Sequence, residues 1–214
     1  MEASVLMCSI RTAESVCAGH PDKLADQIAD QILDDILYDD KAARVAVEVM
    51  AAGRRIIVTG EITTNHRPRI RESVRTALAR AGYSPLGILI YVWTRRQSSD
   101  INAGVTTSLE ARGGDSSAFA LQGAGDQGTV YGYATAETPE RLPLPLVLAH
   151  RICERLDTAQ VEGTICGIKS DGKAQVSVRY DDTGAPAAVE TVVVSVQHEA
   201  GKDLAVLERE VRSL

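Results

Sequence analysis

Residues 43–64 read ARVAVEVMAAGRRIIVTGEITT, and the alternation in this stretch decides the fold. Val45, Val47 and Val49 recur at every second position, the period of a strand with one face covered. Gly53-Arg54 interrupts the run as a two-residue turn of the II′ type, with glycine at its first central position. The strand then returns over residues 55–64. Such a loop fixes the register: residue 52 opposes 55, 48 opposes 59, and 46 opposes 61. One face then carries Val45, Val47, Val49, Ala51, Ile56, Val58, Gly60 and Ile62, all apolar or glycine. The other carries Glu48 and Glu61 as diagonal neighbours among Ala46, Met50, Ile57 and Thr59. Two carboxylates on a partly apolar face are either solvated or hold a cation or an ammonium group. The pattern alone leaves both open.

Working outward, Leu24, Ile28, Ile32, Leu33, Ile36 and Leu37 recur at helical spacing and predict a helix over 21–39. Pro21 suits its first position, and Asp22 lies in the first turn, where the helix dipole favours an anion. A second helix is expected over 67–81, and a buried strand over 87–94. Residues 95–117 show no periodicity, and a segment of that length inside a domain is usually a functional lid or disordered. QGAGDQG at 122–128 suits backbone that approaches a ligand closely, yet glycine-rich turns are common and it lacks the lysine of a P-loop. In the second half, 144–156 and 202–214 read as helices, and 174–180 with 187–197 as a hairpin around DDTGAP. Helix–strand–strand–helix thus occurs twice, and only the first copy is followed by a strand. The expectation is an α+β fold of repeated helix–hairpin–helix–strand units. It divides into an N-terminal unit over 1–94, an active-site loop over 95–117, and an incomplete central unit over 118–214.

The chain has 214 residues, 44% hydrophobic and 24% charged, the balance of a globular protein with a sizeable core. With 23 Lys+Arg against 29 Asp+Glu the formal charge is −6, which argues against general affinity for nucleic acid or anionic lipid. The longest apolar stretch, 81–94, is too short to span a bilayer, and the N-terminus lacks the features of a secretory signal. Cys8, Cys17, Cys153 and Cys166 form no CxxC pair and read as free thiols in a reducing cytoplasm.

ESVCAGHPDK at 14–23 resembles the opening motif of the S-adenosylmethionine synthetases. GEITT at 60–64, QSSDINAGV at 97–105, GAGDQG at 123–128 and DGKAQV at 171–176 match later motifs in family order. The resemblance implies similar α+β units around a pseudo-threefold axis, in a dimer or tetramer with active sites at the subunit interface. It also implies transfer of the adenosyl group of ATP to the sulfur of L-methionine, with release and hydrolysis of triphosphate. By motif match, His20 touches the triphosphate and Asp22 binds magnesium; without the match, the pair reads as a helix cap. Glu48 resembles a potassium ligand and Glu61 the receiver of the methionine ammonium group. Gln97 resembles a methionine contact at the start of the mobile loop, and Asp126 an aspartate that orients adenosine. Asp171, Gly172 and Lys173 match an ATP-contacting stretch, in which Lys173 supplies charge to phosphate and is assigned, with His20, to catalysis. An isolated lysine would more often be a solvated loop residue. His66, His150 and His198 carry no assigned role.

Two features depart from the family. The loop reads QSSDI where the common pattern is QSPDI, a serine at 99 for a proline. A final portion of the family, with further basic groups for the triphosphate, has no counterpart, so a truncated or split chain completed by a partner chain is expected. The missing portion would leave the apolar face of the 174–197 hairpin exposed or covered by another chain. The alternative is a non-catalytic binding or regulatory relative that pairs with a complete subunit. An unrelated phosphate-binding α+β domain would require five ordered motifs to be accidental.

Overall fold

The computed structural model describes residues 9–98, 108–122 and 128–214, without the side chain of Gln122. In chain order the elements are β1 (Ser9–Val16), α1 (Pro21–Asp39), β2 (Arg44–Ala52), β3 (Arg55–Thr63), α2 (Ile70–Arg80) and β4 (Leu89–Arg95). There follow α3 (Leu109–Arg112), α4 (Ala118–Gln122), α5 (Leu144–Glu162), β5 (Ile168–Tyr180), β6 (Pro186–His198) and α6 (Leu204–Arg212). The strands form two sheets, ordered β1-β5-β6 and β2-β3-β4. The described parts of 1–23, 81–83 and 132–214 make one compact unit, and those of 24–80 and 84–131 the other. These cuts differ from the sequence boundaries at 94 and 118, because β1 joins the sheet of the second half.

In the unit of 24–131 the hairpin takes the expected register, Ala52 opposite Arg55, Glu48 opposite Thr59 and Ala46 opposite Glu61. Gly53 sits at φ +55°, as the first central position of a primed turn requires. β4 runs parallel to β3. Ile56, Val58 and Ile62 of the sheet are buried, as are Leu24, Ile28, Ile32 and Ile36 of α1 and Ile70, Val74, Ala77 and Leu78 of α2. Each fully buried aliphatic side chain contributes about 1.5–3 kcal/mol, so this stripe-on-face match is what selects the register. α1 has the predicted bounds. α2 begins at Ile70 rather than 67, since Pro68 disfavours helical backbone in the residue before it. β4 is an edge strand whose alternate residues are exposed, not the buried strand expected. Ser108, within the stretch that lacks periodicity, caps the short α3 by accepting from the Ala111 N–H.

In the other unit β5 is antiparallel to both neighbours. Its inward residues Ala174, Val176, Val178 and Tyr180 are essentially inaccessible, packed with Ala149 and Cys153 of α5 and flanked by Leu144, Leu148 and Ile152. Leu207 of α6 joins Ala159, Ile165 and Ile168. The β5 part of this hairpin's apolar face is therefore covered by the chain's own α5 and α6. On β6, Val189 and Val192, paired with Val178 and Val176, remain about half exposed, as expected. Two elements also run longer than read from sequence, α5 to Glu162 and β5 from Ile168, and β1 is wholly additional. Cys17, Cys153 and Cys166 are free thiols, and Cys8 lies outside the described residues.

Candidate active site

The β1/β5 ladder continues past the end of β1. Val16 opposes Lys173, Cys17 N–H donates to the Gly172 carbonyl at 2.8 Å, and Gly19 N–H to the Ser170 carbonyl at 3.0 Å. This pairing lays the stretch 17–20 directly along 170–173 and brings His20 and Asp22 to the strand that carries Asp171, Gly172 and Lys173. Both are close-packed. A Cβ on Gly19 would lie 2.7 Å from the Ser170 carbonyl oxygen, and one on Gly172 would lie 2.8 Å from Cys17 Sγ. Lys173 is thus a strand residue, not a loop residue.

At the start of α1, His20 Nδ1 accepts from the Asp22 N–H at 3.2 Å. That bond assigns the ring proton to Nε2, which leaves His20 a donor toward an external acceptor. The Asp22 carboxylate is 90% exposed and lies 3.9 Å from Nδ1. Lys173 Nζ is 2.7 Å from Glu14 Oε1, a half-exposed pair of modest energetic weight. Beside it, the Tyr83 hydroxyl donates to the Gly19 carbonyl at 2.6 Å, and burial, with the charge of Asp171, pushes its pKa up.

In the other unit Glu48 and Glu61 share the outer face of the β2-β3 hairpin, as the register requires. Glu61 opposes Arg95 across the parallel β3/β4 pair, and Arg95 Nε approaches its carboxylate to 3.3 Å. Gln97 follows two residues later, with its N–H donating to Thr63 Oγ1 at 3.4 Å. Its side-chain Oε1 is buried and has no hydrogen-bond partner among the described residues. An orphaned buried acceptor is unfavourable by about 1–3 kcal/mol and marks a place for a donor. Asp126 and Ser99 lie outside the described residues.

The sequence pattern of the N-terminal domain of S-adenosylmethionine synthetase matches residues 9–99, and that of the central domain matches 121–214. The chain belongs to the S-adenosylmethionine synthetase family. It is 45% identical over 196 residues to a protein named S-adenosylmethionine synthase from Corynebacterium urealyticum, covering 88% of this chain and 49% of that one. Its identity to the synthase of Kosmotoga olearia is 48% over 195 residues, with the same two shares. For that of a Nocardioides species it is 40% over 210 residues, 94% and 52%. The chain spans about half the length of the curated relatives it matches.

The donor chemistry around His20 suits a metal that takes most of its ligands from outside the protein rather than one caged by it. Among the described residues no group of three or more His, Cys, Asp or Glu side chains could hold a metal ion. Asp22, a single exposed hard carboxylate at a helix start, suits magnesium that keeps its other ligands on phosphate and water. Glu48 offers one exposed carboxylate, adequate for a share in a potassium site. Sequence reasoning missed Glu14, Tyr83 and Asp157 around 17–20, and the pairing of Arg95 with Glu61. None of these pairings leaves a local signal: Glu14 and Lys173 are 159 residues apart. Among the described residues no helix is long and apolar enough to cross a membrane.

Proposed function

We propose that this chain supplies the ATP- and methionine-handling parts of S-adenosylmethionine synthesis. The observation that carries the reading is the pairing of 17–20 with 170–173, which puts two family motifs with phosphate-type chemistry side by side. The methionine sulfur attacks C5′ of ATP in line, so positioning and charge stabilisation carry the catalysis without a covalent intermediate. Nε2–H of His20 donates to a phosphate oxygen. Lys173 turns from Glu14 to the triphosphate, while Asp171 and Gly172 contact ATP and Asp126 orients adenosine. Glu61 receives the methionine ammonium group, and Gln97 Oε1 takes a donor from the same substrate. Magnesium on Asp22 would help to neutralise the leaving triphosphate, and Glu48 would hold potassium. The same reading makes the molecule a pseudo-threefold α+β protein of the cytoplasm that pairs with a second copy or a complementary chain.

Calorimetric titration with Mg·ATP and, separately, L-methionine tests it, alongside mass spectrometry for S-adenosylmethionine. Asp22→Asn should weaken Mg·ATP by about tenfold or more, the loss of a charge-assisted contact of ~1.5–3 kcal/mol. Glu61→Gln should weaken methionine and spare ATP. Unchanged methionine affinity in Glu61→Gln would sink that assignment. Mg·ATP binding without product would mean a partial site awaiting its remainder, and neither binding nor product would favour the non-catalytic relative.

A further inference from the structure

The turn that leads into His20 is fastened on more than one side. The N–H groups of Cys17 and Gly19 go to β5. The alternate N–H, that of Ala18, goes instead to α5, where Asp157 accepts it with both carboxylate oxygens, at 3.2 and 3.1 Å. Lys23 Nζ donates to the Val16 carbonyl, and His20 N–H to the Cys17 carbonyl at 3.1 Å. With the Tyr83 hydroxyl on Gly19, the peptide groups of 17–19 are held from β5, from α5 and from Tyr83.

α5 packs on this sheet chiefly through Val147, Ala149, Cys153, Leu156 and Ala159. Its polar side chains His150, at 2.8 Å from Ser15 Oγ, and Asp157 reach β1 and the turn after it. A part-buried carboxylate is an unfavourable tenant there. Desolvation pushes its pKa up, against the opposing pull of the Ala18 N–H and Lys23, with Glu154 adding a like charge and Cys17 a hydrogen bond. An apolar residue at 157 would extend the stripe and remove the acceptor that Asp157 offers the Ala18 N–H. The backbone of the turn gains from a carboxylate at this place.

From this geometry we infer that Asp157 is a positioning residue: by holding the Ala18 N–H it fixes the 17–20 turn and so aims His20 and Asp22. The inference rests on the reading of His20 and Asp22 as polyphosphate-facing groups. Asp157→Leu keeps the branched heavy-atom skeleton, though bulkier, and removes the acceptor, whereas Asp157→Asn keeps an acceptor oxygen for Ala18. The probes are calorimetric titration of the full chain with magnesium tripolyphosphate and the imidazole ¹⁵N resonances of His20. The Leu variant should bind at least about tenfold more weakly. Its His20 resonances should leave the pattern of an accepting Nδ1 and a protonated Nε2. The Asn variant should restore both readouts, and Glu154→Ala, on the same helix, should move neither. A Leu variant with wild-type affinity and wild-type His20 resonances overturns the inference. If the wild-type chain shows no tripolyphosphate binding, the polyphosphate reading fails. The imidazole signal then decides the positioning role by itself: shifted in Leu and restored in Asn it stands, unshifted in Leu it falls.

Discussion

Gly53 and Gly60 both sit at positive φ in one hairpin, +55° and +125°, but for different reasons. A Cβ on Gly53 would meet nothing within 4 Å, so alanine there bears only left-handed backbone strain, roughly 1–2 kcal/mol. On Gly60 the same atom would collide with the Ala46 carbonyl oxygen and lie 3.0 Å from Val47 Cα. Backbone atoms of a paired strand cannot step aside as a flexible side chain could. Gly60→Ala should therefore cost about 3 kcal/mol or more, overpacking added to strain, and Gly53→Ala about 1 kcal/mol. Urea midpoints of the two variants measure this directly. Equal losses would mean that β2 and β3 part to admit the methyl. The residue following Gly60 is Glu61, so that parting would also shift the carboxylate assigned to methionine.

At the scale of elements, the start of α5 depends on a residue well outside it. Pro143 occupies the cap position and makes no side-chain cap bond. Glu137 fills that role: its Oε2 accepts the Leu144 N–H at 3.1 Å and the Tyr180 hydroxyl, while Arg11 lies 3.5 Å from Oε1. The Tyr180 hydroxyl is the main cause holding the Glu137 pKa below its ordinary 4.5, and burial pushes Tyr180 up to about 12. A carboxylate depressed in the folded state contributes stability that is present above about 4.5 and lost as pH falls through the folded value. Thermal unfolding followed from pH 7 to 3 should show a steeper acid loss for the wild type than for Glu137→Gln, which starts lower. Parallel curves would remove Glu137 from the acid response. The hairpin of 43–64 and helix α1 were legible in sequence because period and turn chemistry are local. β1 was not, since its partner is β5, most of the chain away, and its exposed face gives it little periodicity. The site divides the same way. Motif residues could be read one by one, but the lashing of 17–20 to 170–173 and the pairing of Glu61 with Arg95 depend on strand neighbours that spacing does not encode.

Taken as a whole molecule, the chain leaves one sheet face unusually apolar. Met50, Leu89 and Trp93 stand 56%, 51% and 67% exposed on the outer side of β2-β3-β4, and Tyr91 stacks on Trp93 with ring centroids 6.2 Å apart. Contiguous apolar side chains of this size on an edge strand favour association, and Glu48 and Glu61 lie on the same face. The expected occupant is a second copy of the chain, as the dimer reading requires. Replacing Met50 by Lys and Trp93 by Glu together should convert dimer to monomer in sedimentation velocity, with the far-UV circular dichroism of the folded chain kept because neither side chain belongs to the core of a single copy. Tyr38→Ala, which removes a single exposed aromatic from α1, should leave the dimer intact. A wild-type chain that sediments as a monomer at tens of micromolar, or a double variant that still dimerises, would exclude this face as the contact. The position of Glu61 ties assembly to ligand. If the second copy seats here, methionine affinity should fall as the protein is diluted through the dimer dissociation range, in step with the sedimentation change. Affinity that stays constant through that range would place the methionine contacts of Glu61 and Gln97 within one chain.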